Sequence, residues 1–190
     1  MKSKLIMLTL VVSCAFAGNA MALTKEEYKT QKDRVEADYK ASRDKCSSLS
    51  ANARDICQAQ SKGAEKVAKA ELEAQYEPSP RHDQKVREVK ADAAYDVAKE
   101  KCDDLAGNAK DICVKEAKAA QTTAKADAKV SKVGADANKD IAGDVGAAKK
   151  DAAADKREAE YRVAKERCDA LSGNTKDSCQ NDAKAKFGMK

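Results

Sequence analysis

Tyr95-(x6)-Cys102-Asp103-Asp104-Leu105-Ala106-Gly107-Asn108-Ala109-Lys110-Asp111-Ile112-Cys113 is a stretch that the chain writes three times. The copy before it runs Tyr39-(x6)-Cys46-Ser47-Ser48-Leu49-Ser50-Ala51-Asn52-Ala53-Arg54-Asp55-Ile56-Cys57. The copy after it runs Tyr161-(x6)-Cys168-Asp169-Ala170-Leu171-Ser172-Gly173-Asn174-Thr175-Lys176-Asp177-Ser178-Cys179. The shared pattern is Y-x6-C-x2-L-x2-N-x-[KR]-D-x-C, and its copies begin 56 and 66 residues apart. Self-similarity at such a period marks one supersecondary unit per repeat.

The pattern has a direct physical reading. Tyr95, Ala98, Cys102 and Leu105 are spaced 3, 4 and 3, which places them on one stripe of a helix. Gly107 and Gly173 stand where a helix ends on a left-handed residue. Asn108 and Asn174 follow as expected N-caps of the next helix, with Asn52 in the same place. Asp55, Asp111 and Asp177 lie three residues later, where they are expected to complete a capping box. In the first copy Ala51 replaces Gly. If that position needs a positive φ, Ala costs about 1 kcal/mol. Each copy therefore predicts helix, tight turn, helix.

The first Cys of each copy falls in the last turn of one helix and the second falls early in the next. In an antiparallel hairpin the two positions face each other. The expected disulfides are Cys46 with Cys57, Cys102 with Cys113 and Cys168 with Cys179. A closed loop of about 12 residues stabilises by roughly 3 kcal/mol in the chain-entropy model. Tyr and Leu of the stripe are expected to form a small apolar seam beside each staple. Zinc sites favour closer Cys pairs, often with His, and the one histidine, His82, is remote from every pair. No Cys-x-x-Cys is present to suggest redox catalysis.

Outside the motif the sequence is dominated by Ala, Lys, Glu, Asp and Gln, mostly good helix formers. Thr24 and Glu27 mark a helix start. Helices are expected over 24–49, 53–76, 81–105, 109–133, 147–171 and 175–187. Pro78-Ser79-Pro80 breaks the chain between the first and second hairpins. Gly134, Gly143 and Gly146 suggest a linker or frayed helix over 134–146. The expected units are hairpins at 23–78, 79–133 and 147–190. No alternating β-branched run predicts a strand.

Composition sets the scale of the core. Of 190 residues 38 are Ala and 36% are charged. Residues 23–190 hold five Leu, three Ile, ten Val, one Phe and one Met. That is too few large apolar side chains for a large core. The expectation is an all-α protein of three disulfide-stapled antiparallel hairpins in tandem, elongated and thin-cored.

The 37 basic and 32 acidic residues are interspersed, as in Lys99-Glu100-Lys101. Such mixing marks a solvated helix surface. A nucleic-acid partner would need a one-signed patch, so none is expected. Residues 1–22 read as a signal peptide. Lys2 and Lys4 are its basic region, Leu5–Phe16 its apolar region and Ala20-Met21-Ala22 its cleavage site. Val11-Val12-Ser13-Cys14 resembles a lipobox. Membrane contact is expected only if Cys14 is lipidated or the signal stays uncleaved. Export predicts a periplasmic location, where six cysteines form disulfides.

No catalytic constellation is evident: there is no phosphate loop and no His-Glu-x-x-His. No enzyme activity, cofactor or metal is expected. The partners expected are unidentified envelope or client proteins.

The Ala/Lys/Asp/Glu-rich segments resemble the helical stalk of TolA in composition. The stretch AKEKCDDLAGNAKDIC, Ala98–Cys113, resembles small exported proteobacterial proteins often labelled cell envelope biogenesis protein TolA. TolA keeps a membrane anchor and ends in a domain with strands, so no functional residue is carried across. Exposed charged helices, a thin core and the lack of an evident site lead to the expectation of a non-enzymatic exported protein with a scaffold, envelope-maintenance or stress-protection role. Two alternatives are a periplasmic chaperone holding clients on its helical seam, and a Cys-based metal or redox protein.

Overall fold

Thr24 opens the first helix as its sequence predicts. Its hydroxyl accepts from the Glu27 N–H at 3.2 Å, and its own N–H donates to the Glu27 carboxylate at 2.9 Å. Both orphan donors of a capping box are thereby satisfied. Helix α1 covers Lys25–Cys46, α2 Ala51–Tyr76, α3 Pro80–Cys102, α4 Gly107–Ala135, α5 Ile141–Cys168 and α6 Gly173–Phe187. The structure is a computed structural model that describes residues 23–136 and 141–190. The expected leader, with Cys14, lies outside the described residues. No strand occurs among the described residues.

The α2–α3 bend is chemically explicit. Ser79 accepts from the His82 N–H at 3.1 Å. Pro80 occupies the first position of α3, where its missing N–H would have no intrahelical partner anyway.

The expected linker over 134–146 is shortened at both ends, and residues 137–140 within it lie outside the described residues. Gly134 lies inside α4, and Gly143 and Gly146 lie inside α5. Each of these glycines costs only about 1 kcal/mol of helix propensity. Packing of Ala148 and Ala152, both buried in α5, offsets that cost.

Each helix packs only on the helices before and after it in the chain. The result is a single layer of antiparallel helices, one helix thick. Helices α1–α5, of 22 to 29 residues, make it about 33–44 Å tall at 1.5 Å per residue, and α6 is shorter at 15 residues. The stapled hairpins pack on each other rather than standing apart, since α2 lies on α3 and α4 lies on α5.

Small side chains make this possible. The buried apolar residues include Ala91, Ala126, Ala128, Ala148, Ala152 and Ala183, with Leu72 and Val163. Gly63 is buried in α2 against Ala93 of α3. The core is a set of narrow alanine seams between neighbouring helices. Cross-helix ion pairs border them: Lys90–Glu71 at 2.6 Å, Lys125–Asp92 at 2.6 Å and Arg167–Glu116 at 2.6 Å. Exposed pairs of this kind contribute about 0–1 kcal/mol each. They set register more than stability.

Candidate functional site

Alternating helix direction puts all three cysteine turns on one edge of the layer. The α2–α3 connection, the end of α4 and the start of α5 lie on the opposite edge. The side chain of Asn52, in the first turn, donates to the Glu100 carbonyl at 2.8 Å and to Asp104 at 2.7 Å, in the second. The repeated motif is therefore a row of similar turns, and this row is the candidate site.

Each turn follows one geometry. The helix tightens at its end, where the leucine N–H bonds the carbonyl of the first cysteine. These bonds are Leu49 to Cys46 at 3.1 Å, Leu105 to Cys102 at 3.0 Å and Leu171 to Cys168 at 3.0 Å. Next comes an extended residue, Ser50, Ala106 or Ser172, with φ of −127°, −129° or −132°. Ala51, Gly107 and Gly173 follow with φ of +46°, +55° and +54°. The disulfides join Cys46 to Cys57, Cys102 to Cys113 and Cys168 to Cys179, with Cα–Cα distances of 5.6 to 5.7 Å. Cys46, Cys102 and Cys168 are almost fully buried. All three local pairings expected from spacing are present.

The cap assignments are corrected. The left-handed residue opens the second helix instead of closing the first, so each second helix begins two residues earlier than expected. The cap positions are Ser50, Ala106 and Ser172, and none forms a side-chain cap bond. Asn52, Asn108 and Asn174 become second residues of their helices. Asp55, Asp111 and Asp177 become fifth residues, beyond the first turn, and all three are exposed. From there a carboxylate no longer reaches the orphan N–H groups of the helix start.

The basic residue of the motif has a role that spacing alone did not reveal. Lys110 reaches back to Asp103 at 3.0 Å, and Lys176 to Asp169 at 2.8 Å. The Lys176 ammonium holds the Asp169 carboxyl below its ordinary value. In the first copy Ser47 replaces the aspartate, and the Arg54 guanidinium donates to the Leu49 carbonyl at 2.8 Å instead. The signal was legible in hindsight. An acid directly after the first Cys accompanies Lys in two copies, and Ser accompanies Arg in the third.

The expected Tyr/Leu seam is half right. Tyr39, Tyr95 and Tyr161 are half-buried. The Lys118 ammonium lies 5.2 Å from the Tyr95 ring centre, and Phe187 meets Tyr161 edge-on at 6.3 Å. The leucines, however, point outward: Leu49 is 39% exposed, Leu105 45% and Leu171 40%. The tightened turn carries them past the helix end, where no neighbouring helix covers them.

Elsewhere the layer offers open grooves. One of about 230 Å³ is lined by Lys115 and Lys118 of α4 and by Asp155, Glu158 and Arg162 of α5. Its charges are of both signs. Among the described residues no helix is long and apolar enough to cross a membrane.

No protein-family model, curated protein or solved structure matches the chain.

Proposed function

We propose that this protein is a non-enzymatic helical repeat protein of the periplasm, exported by its N-terminal segment, with a scaffold, envelope-maintenance or stress-protection role. Three disulfides in consecutive hairpins support an oxidising, exported compartment. The observation that carries the scaffold reading is the row of three like turns on one edge. Repetition of a surface with no packing role is what a multivalent presenter needs. The TolA-like label belongs to this reading through composition and the cysteine motif. Deleting the gene tests it: loss of resistance to envelope stress, restored by the wild-type chain, is the expected result. An unchanged envelope under all such stresses would count against it.

A chaperone is the second reading, and the exposed leucines favour it. Its client surface would be the turn edge, because the helical seams are filled by neighbouring helices. Suppression of client aggregation by purified protein, lost on replacing Leu49, Leu105 and Leu171 by Ser, would support it. Pairing of the six cysteines 46–179 favours a structural role for them over the Cys-based metal or redox reading.

A further inference from the structure

The edge opposite the disulfides carries a separate cluster. Glu73 and Glu77 end α2 one turn apart, and His82 opens α3 across the Pro78–Pro80 bend. One ligand atom from each of the three lies within 4.8 Å of the others. We infer that Glu73, Glu77 and His82 bind one divalent cation of the zinc class.

The groups around the cluster carry the argument. The His82 ring Nδ1 contacts the Glu77 carbonyl oxygen. A carbonyl only accepts, so the hydrogen sits on Nδ1 and the lone pair on Nε2. The Tyr28 hydroxyl of α1 donates to Glu73 Oε2 at 2.7 Å, which leaves Oε1 available. Metal-ligating imidazoles and carboxylates are oriented by outer partners of these two kinds. The His82 backbone is in turn held by Ser79 at 3.1 Å. His82 is the only histidine in the chain, and it stands beside two carboxylates.

The donor chemistry selects the ion. One imidazole nitrogen with two carboxylate oxygens suits Zn²⁺, which takes three protein ligands and keeps a fourth position for water. Purely oxygen-seeking cations such as Mg²⁺ gain nothing from the imidazole. Two glutamates at i, i+4 repel each other, and a cation between them removes that repulsion. Bound there, it would fasten α1, α2 and α3 together at the edge that has no disulfide.

The test is a titration of the oxidised full-length mature protein with zinc chloride. Because there is a single histidine, its ring proton signals in NMR report the site alone. The expected result is that they shift and saturate at one equivalent. His82→Ala should abolish that binding step in calorimetry, and Tyr28→Phe should weaken it about 10-fold. Ring signals that stay in place through several equivalents would overturn the inference, with no variant needed. So would a zinc affinity that neither substitution lowers.

Discussion

Gly63 of α2 lies so close to Ala93 of α3 that a Cβ on Gly63 would stand 2.9 Å from the Ala93 methyl carbon. That methyl is fixed to the backbone and has no rotamer to escape into. Substituting Gly63 by Ala gains about 1 kcal/mol of helix propensity. It also forces two helices apart, an overpacking cost of about 1–3 kcal/mol. The expected sum is a loss of stability, larger for Gly63→Val. Gly143→Ala and Gly146→Ala meet nothing within 4 Å, so both should stabilise by about 0.5–1 kcal/mol. Urea unfolding of the oxidised protein distinguishes the signs.

Ala51 is the one non-glycine with positive φ among the described residues. Ala51→Gly should stabilise the first turn by about 1 kcal/mol, the left-handed cost that Ala now bears. Gly107→Ala should cost about as much in the second turn, because the space around Gly107 is open and only backbone strain changes. Opposite shifts of the melting temperature are the expected readout. Equal shifts of one sign would contradict the shared turn geometry.

Replacing Cys102 and Cys113 together by Ser removes the middle staple. The expected loss is about 3 kcal/mol, from the freedom restored to the unfolded loop. Thermal melting followed by circular dichroism, with and without reductant, should show the variant melting below the oxidised wild type. In the same assay full reduction of the wild type should lower the midpoint further.

The motif leucines and Leu72 are expected to behave oppositely. Leu72 is 4% exposed, so Leu72→Ala should cost about 2–5 kcal/mol. Leu49→Ser, Leu105→Ser and Leu171→Ser should each change stability by less than about 0.5 kcal/mol, as exposed positions do. Chemical denaturation of the four variants decides the matter. A large loss at the three turns would mean that these leucines pack against something.

Two carboxyls, one phenol and the Lys69 ammonium, which its hydrogen bond to Glu65 raises above the ordinary 10.5, shape the pH response. Glu27 is held below its ordinary 4.5 by the Thr24 backbone N–H and then its hydroxyl, and Asp169 below its ordinary 3.8 by Lys176. Their contribution is complete above those ordinary values and disappears as pH falls through the depressed ones. Tyr28 is raised above its ordinary 10.0 because it donates to Glu73. Its contribution is complete below that value and is lost as pH rises through the raised one. Melting temperatures should therefore fall at both extremes. Tyr28→Phe should blunt the alkaline fall, and Glu27→Gln the acid one.

Much of the fold was legible because it is written locally. The Thr24–Glu27 capping box, the Pro78–Pro80 break and the three cysteine pairs each depend on residues close in sequence. The turns were legible only in outline. The positive φ at Gly107 was expected, but its side of the boundary was not. That two-residue difference moved Asn108 off the cap and Asp111 out of the first turn. The glycines near 134–146 misled because propensity is weak beside the burial of Ala148 and Ala152. Gly63, unfavourable in a helix by propensity, is a point of close approach. Nothing within α2 signals that Ala93 lies opposite.

The sequence by itself determined that the described chain is helical, stapled and thin-cored. Helix period, capping and a twelve-residue disulfide loop act within a few residues and need no partner segment. Only the tertiary structure decided that the hairpins join into one layer with their turns on one edge, their leucines outward and Glu73, Glu77 and His82 together on the other. Those outcomes rest on contacts between residues far apart in the chain, such as Gly63 with Ala93 and Asn52 with Glu100. Alanine and charge are spread over every face of these helices, so no single helix announces which neighbour it will meet.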